Sequence, residues 1–420
     1  MPLQSKRSVR VHEIPEGTSE KEYLDFVEHL CTKPKKPPKL HYSRVTKHFR
    51  RKFKSSASRS IPTEEVDEDA RSKDEAELSP SPSTLRSEAE QAAPLLDDPL
   101  PTAKGWTRTT YCRQNGHLVG TVSFESETLK MEALERHEKN EKSCWKDWVV
   151  EDNFSEVTVL YEGPDAEFDI CAVHGQGGNA MDTWTAGNGK MWLRDLLPEH
   201  DKFKNSRIMT FGYDSDLTDR DTVMELNDWA ATLLRSLNEA RTGDTAMAQL
   251  DPASIYNNIA LPRFGIVFLA TPHSGSTIAD WNAFLVATAH VLGGVRIESV
   301  NTVKTFNPAS VWDAQAFINL KPCPPFRCFA EGRMMPVRGT SKHVVTQASA
   351  TLGNQQAFQI MNVDHVSICK FKSRLGPFTT ISMALWELLN EVNNGGVQQT
   401  RTQQERRVST QDEAVSIAQS

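Results

Sequence analysis

From residue 154 onward, short runs of apolar, β-branched and aromatic residues alternate with longer amphipathic ones, and this alternation limits the fold more than any other feature. The runs 157–161, 168–173, 207–211, 264–270, 326–329 and 358–363 have the length and composition of strands. The intervening segments 192–196, 219–241, 278–292 and 379–392 carry helical spacing. Strands that are apolar throughout are expected to be buried on both faces, which predicts a parallel sheet with helices on both sides. The expected class is α/β, a doubly wound, mostly parallel sheet over residues 151–393. One interval breaks the rhythm. Only 22 residues separate Arg241 from Phe264, and they hold no run of four β-branched or aromatic residues. One short helix near 251–259 is the most that this interval offers.

Upstream, the composition changes twice. Residues 9–14 alternate as a strand does, and Thr18 or Ser19 caps a helix with apolar positions at Tyr23, Leu24, Phe26, Val27 and Leu30. Residues 33–54 then hold ten Lys/Arg and no acid, and residues 61–98 hold twelve acids against three bases. No aromatic residue occurs from Lys54 to Gly105. Such a segment cannot bury enough apolar area to offset its ordering entropy, so 33–105 is expected to be a disordered insert. The basic run fits a nuclear-localisation signal, an anionic-lipid patch or a solvated linker. Order is expected again from Trp106, with a strand at 117–124 and a helix at 129–138. Residues 1–32 with 106–150 therefore form a small α/β subdomain of ferredoxin-like order. An RNA-recognition version needs stacking aromatics on its central strand. GTVSF offers Phe124 alone, so a packing or docking role is expected and nucleic acid is not. The polar tail 394–420 is expected to be disordered. A net charge of −7 also disfavours general nucleic-acid binding.

Seven cysteines without framework spacing fit a reducing compartment. Cys323 and Cys328 have no second cluster to complete a metal site. Ala186-Gly187-Asn188-Gly189-Lys190 has a superficial likeness to a phosphate loop. That pattern needs Gly at Trp184 and Ser or Thr at Met191, so it fails. No cofactor and no metal are expected. No apolar core of a signal peptide and no run of about 18 apolar residues is present, so nothing is expected to span a membrane.

Five motifs carry the chemistry, in order: FDICAVHGQGGNAMD (168–182), WLRDLLP (192–198), RIMTFGYD (207–214), GIVFLATPHSGS (265–276) and NVDHVSICKF (362–371). Taken alone, HGQGG after a strand reads as an oxyanion donor, a phosphate loop or a tight turn. Together the five blocks resemble the DUF676-type α/β-hydrolases: the serine-active-site lipase-like proteins, the relatives of the GPI inositol deacylase, and the hydrolase domain of fungal NACHT and ankyrin proteins. The resemblance covers roughly residues 150–375. It implies a serine ester hydrolase acting on lipid or other acyl esters, through the following residues. His365 would be the general base. Glu331, at the end of the 326–329 strand, would orient it, with Asp364 and Asp280 as competing acids. Gly175, Gln176 and Gly177 would shape the oxyanion loop, with Gln176 giving its N–H. His273 and Ser274 would line the pocket, Ser274 standing where the family has Arg.

The family's sixth block, G-H-S-x-G-G, is absent, and no G-x-S-x-G occurs anywhere. A strand, nucleophile elbow, helix and loops need roughly 30 residues or more, beyond what 242–263 can supply. In the family the missing strand lies between the 168–173 and 264–270 strands, so its loss removes the nucleophile and opens the middle of the sheet. Three readings stand. The coding sequence lacks an exon that the true product contains. The chain is a pseudoenzyme, an interaction module or immune-receptor-like front end. Or Ser274 or Ser276 substitutes, without an elbow. An acyl ester or lipid substrate, a protein partner for the N-terminal half and peripheral membrane contact are the expected partners. The expected location is intracellular, cytoplasmic or on the surface of endoplasmic reticulum or mitochondrial membranes. The chain lacks a NACHT or ankyrin segment, so it is expected to carry only the front of that architecture.

Overall fold

The computed structural model describes residues 4–32, 105–140, 143–215, 226–242, 264–273, 315–321, 323–337, 340–360 and 362–394. The insert at 33–104, the tail from 395, the candidate helices at 251–259 and 278–292, Asp280, Ser274 and Ser276 lie outside them.

The N-terminal elements are β1 (Ser8–Ile14), α1 (Glu20–Cys31), β2 (Trp106–Gln114), β3 (His117–Phe124), α2 (Glu127–Glu138) and β4 (Val149–Glu151). They form a four-stranded sheet in the order β2-β3-β1-β4, and every pair is antiparallel. The connectivity is β-α-β-β-α-β. Ser19, not Thr18, caps α1 by accepting from the Glu22 N–H at 3.2 Å. Tyr23, Phe26, Val27 and Leu30 recur at helical spacing, and all four are fully buried against Val9, Val11 and Val122. Gly120 is needed where it stands: a Cβ there would lie 2.3 Å from the Tyr23 ring. Sequence spacing shows neither β2 nor β4. The first is only partly covered and mixes Thr and Arg with its apolar positions, and the second is three residues long.

The larger part adds β5 (Glu156–Glu162), β6 (Phe168–Val173), α3 (Trp192–Asp195), β7 (Ser206–Gly212), α4 (Leu226–Thr242), β8 (Ile266–Leu269), β9 (Phe326–Glu331), the hairpin β10 (Met335–Val337) and β11 (Thr340–Lys342), and β12 (Phe358–Ile360). A final helix spans 377–394. The content is thus mixed α/β with several sheets, some of them parallel. Two three-stranded sheets have the orders β5-β7-β6 and β12-β9-β8. The pairs β6–β7, β8–β9 and β9–β12 are parallel, and β5 runs antiparallel to β7.

Among the described residues, β6 pairs with β7 alone and β8 with β9 alone. The expectation of strands buried on both faces fails at these two. Every residue of β6 and β8 is partly or fully exposed, and Val173 is 43% exposed, whereas β7 is buried at all but one position. Pairing on one side does not by itself uncover a strand, since β5 also pairs with β7 alone among the described residues yet is buried at Val157–Leu160, where β2 and α4 pack beside it. Partly buried residues of β6 and β8 still pack on one common core with Trp192, Leu193, Phe329 and Ile368.

Side chains join the antiparallel unit to β5 and α3. Gln114 at the end of β2 donates from Nε2 to the Val157 carbonyl at 2.9 Å and accepts the Val159 N–H at 3.0 Å. Buried Arg194 reaches Ser123 Oγ on β3 at 2.7 Å and holds Asp195 through two bonds of 2.8 and 3.0 Å.

Candidate active site

In open parallel sheets, ligands bind beyond the carboxyl ends of the strands. Here those ends carry His174 after β6, His273 after β8, Glu331 closing β9 and His365 after β12.

Glu331 and His365 are brought together. Glu331 is completely buried. Its Oε1 accepts the Val345 N–H at 2.6 Å, and its Oε2 faces His365 Nδ1 at 3.5 Å. That separation exceeds a normal N–H···O bond. Glu331 is the last residue of β9, so the strand runs two residues further than its apolar run indicates. The His365 side chain is 19% exposed, so one side of the pair meets solvent.

The turn that carries His365 is closed by its neighbours. Asp364 Oδ1 accepts from the Ser367 N–H at 2.9 Å and from Ser367 Oγ at 2.7 Å, while the Asp364 N–H donates back to Ser367 Oγ at 2.8 Å. Burial pushes the Asp364 carboxyl up, but the Ser367 hydrogen bonds and Arg333 outweigh that and hold it below the usual range. Asp364 is thereby committed to the turn. The Arg333 N–H bonds the Val363 carbonyl at 2.8 Å, tying the turn to the end of β9.

The HGQGG loop is built around a neutral histidine. The Tyr213 N–H can only donate, so His174 Nε2, 3.3 Å away, must accept. Nδ1 then carries the hydrogen and donates to the Gly175 carbonyl at 2.9 Å. Burial pushes the His174 imidazole down to about 4, and the ring stacks on Tyr213 with centroids 4.5 Å apart. Gly177 takes φ +69° and gives its N–H to the Ser215 carbonyl at 3.0 Å. Gly178 bonds back to the Gly175 carbonyl at 3.1 Å. Gly175 is exposed and Gln176 half-buried, and the Gln176 N–H has no acceptor among the described residues. The Gly175 N–H also has none, so these two are the backbone donors that the loop can offer an incoming oxygen.

His273 lies at the end of β8. Its N–H bonds the Ser349 carbonyl at 2.7 Å, and its ring meets Phe268 edge-on at 4.5 Å. Burial pushes it down to about 4, and its Nε2 has no hydrogen-bond partner among the described residues. Sequence reasoning did not reach Val345, whose N–H fixes Glu331, or Tyr213 as partner of His174. A backbone donor leaves no trace in residue type.

Among the described residues, no group of three or more His, Cys, Asp or Glu is placed to hold a metal, and no helix is long and apolar enough to cross a membrane. All seven cysteines are free thiols. Compared with protein-family models, with curated proteins and with solved structures, the chain finds no match.

Proposed function

We propose that residues 151–393 form an α/β-hydrolase-like, doubly wound domain of serine ester hydrolase type, which keeps its acid–base half and lacks its nucleophile. The reading is carried by the Glu331–His365 pair. A carboxylate with no exposed surface has one oxygen satisfied by a backbone N–H and the other facing an imidazole that reaches solvent. This is how an orienting acid serves a general base. Glu331 stands at the carboxyl end of one parallel strand and His365 beyond the end of its neighbour. Gln176 would supply one oxyanion N–H, with Gly175 and Gly177 setting its approach, and His273 would line the pocket. An elbow strand would run between β6 and β8, each of which has one neighbour among the described residues.

The substrate would be an acyl ester, of lipid or other origin. The chain as encoded should have little or no turnover. Purified protein treated with a fluorophosphonate probe should label no more than its His365→Ala variant does. Strong labelling that His365→Ala abolishes would overturn the loss of activity. Sequencing the genomic interval between the codons for Arg241 and Phe264 tests the family reading. An in-frame segment encoding G-H-S-x-G-G is expected, and an uninterrupted coding sequence would leave a binding module as the better account.

A further inference from the structure

Asp182 closes the HGQGGNAMD stretch and bonds to widely separated parts of the chain. Its Oδ1 accepts from Ser5 Oγ at 2.9 Å, and its Oδ2 from the Lys6 N–H at 2.9 Å. Within its own loop, Asn179 Nδ2 donates to Oδ2 at 2.9 Å and reaches the Gln4 carbonyl at 3.4 Å. The Asp182 carbonyl accepts from Lys370 Nζ at 2.6 Å. Lys370 lies just past Ser367, which closes the turn around His365.

Residues 4–6 are themselves fixed. Ser5 is 1% exposed, and its N–H bonds the Asp152 carbonyl at 2.9 Å. Its own carbonyl accepts from Lys130 Nζ at 2.7 Å. The Lys130 side chain, 3% exposed, pairs with the Asp152 carboxylate at 2.7 Å. A buried ammonium on α2 thus clamps both the N-terminal segment and the chain leaving β4. An aspartate that only capped its own loop would need the Asn179 bond and no more. Its carboxylate has two further partners, Ser5 and Lys6, both more than 170 residues away, while Lys370 holds the backbone carbonyl of the same residue.

We propose that Asp182 is a positioning residue. It sets the HGQGG loop against the His365 turn, and residues 4–6 hold it there, so the β-α-β-β-α-β unit forms part of the site's framework. The meaning of that setting rests on the hydrolase reading of Gln176 and His365, but its test uses no turnover and no labelling. Failure of either leaves the other standing.

The test uses the full chain with ¹³C-labelled histidine, the His365 resonance being assigned from its loss in His365→Gln. Amide exchange at residues 175–179 is followed in parallel. Asp182→Ala should speed that exchange about tenfold or more, the loss expected for charge-assisted hydrogen bonds, and should shift the His365 resonance. Asp182→Asn, which keeps a side-chain acceptor, should restore most of both, the backbone carbonyl that Lys370 bonds being present in either variant. Faster exchange confined to 179–183 with an unmoved His365 resonance would reduce Asp182 to a loop cap and overturn the proposal. Should Asp182→Ala fail to fold, Ser5→Ala and Lys370→Met replace it. Both should perturb the same resonances in the glycine loop and at His365, and disjoint sets would overturn the proposal.

Discussion

The two oxygens of Glu331 have different tasks, and substitutions separate them. Glu331→Ala leaves the Val345 N–H without an acceptor and opens a void in a fully buried position. It should cost about 2–4 kcal/mol in urea unfolding. Glu331→Gln keeps an oxygen for Val345, and its cost should be about 1 kcal/mol, while any function of His365 that needs the carboxylate is still lost. His174 governs a pH effect. Its imidazole stays neutral in the folded protein down to about 4, against 6.5 for the ordinary group. Between those values the unfolded chain binds a proton that the folded chain refuses. Stability should therefore be flat above the upper value and fall by about 1.4 kcal/mol per pH unit below it, levelling off once the folded imidazole also protonates. His273, pushed down to about the same value, acts in the same direction. His174→Asn should be less stable at neutral pH yet lose one proton's worth of that slope in a series of urea titrations. The choice among acids was only half legible at this scale. The resemblance points to Glu331 and leaves Asp364 and Asp280 competing; geometry shows Asp364 tied to Ser367 and Glu331 facing His365, and Asp280 lies outside the described residues.

At the scale of elements, the glycine loop separates steric need from mere occurrence. A Cβ on Gly178 would lie 2.6 Å from Thr183 Oγ1, the atom that accepts the Asn179 N–H, and 3.1 Å from the Gly175 carbonyl. Gly178→Ala should therefore cost about 1–3 kcal/mol. Gly175 has open space around it and no left-handed backbone, so Gly175→Ala should change stability by less than about 0.5 kcal/mol. A thermal melt of the two variants checks the contrast. Sequence spacing treats these glycines alike, because it registers flexibility and not neighbours. It does locate most strands, and the run 117–124 coincides with β3. Long uniform runs have one favourable periodicity, which is why they are legible. β2 and β4 are held by partners distant in sequence, which periodicity does not record. The partial exposure of β6 and β8 is likewise not written in composition: FDICAV and IVFL read as interior strands.

For the whole molecule, the junction between the antiparallel unit and β5 is made by the Gln114 amide together with Arg10, whose Nη1 donates to Thr158 Oγ1 at 3.1 Å and to the Ser155 carbonyl at 2.9 Å. Gln114 stands where a further strand residue would, giving a donor to Val157 and an acceptor to Val159. Nothing in its residue type announces this, since glutamine at a strand end is ordinarily solvated. One apolar cluster lies around Phe26 and Trp148, another around Trp192 and Phe329, and in a third Cys112 of β2 packs on the cluster of Val157 and Val159. Polar groups add to this apolar contact in joining the two sides. Gln114→Ala would strand both backbone groups of β5, at about 1–3 kcal/mol for each that water cannot reach. Gln114→Glu should be no better, because it keeps the acceptor for Val159 but sets an oxygen against the Val157 carbonyl. A hydrophobic seam would give the opposite order, with the shorter alanine and the near-isosteric glutamate differing mainly by volume. The decisive measurement is amide exchange of Val159 beside the global unfolding free energy. If Gln114 joins the two sheets, both substitutions should deprotect Val159 by more than they lower global stability. Equal losses in the two quantities would mean that the sheets separate only when the whole molecule unfolds.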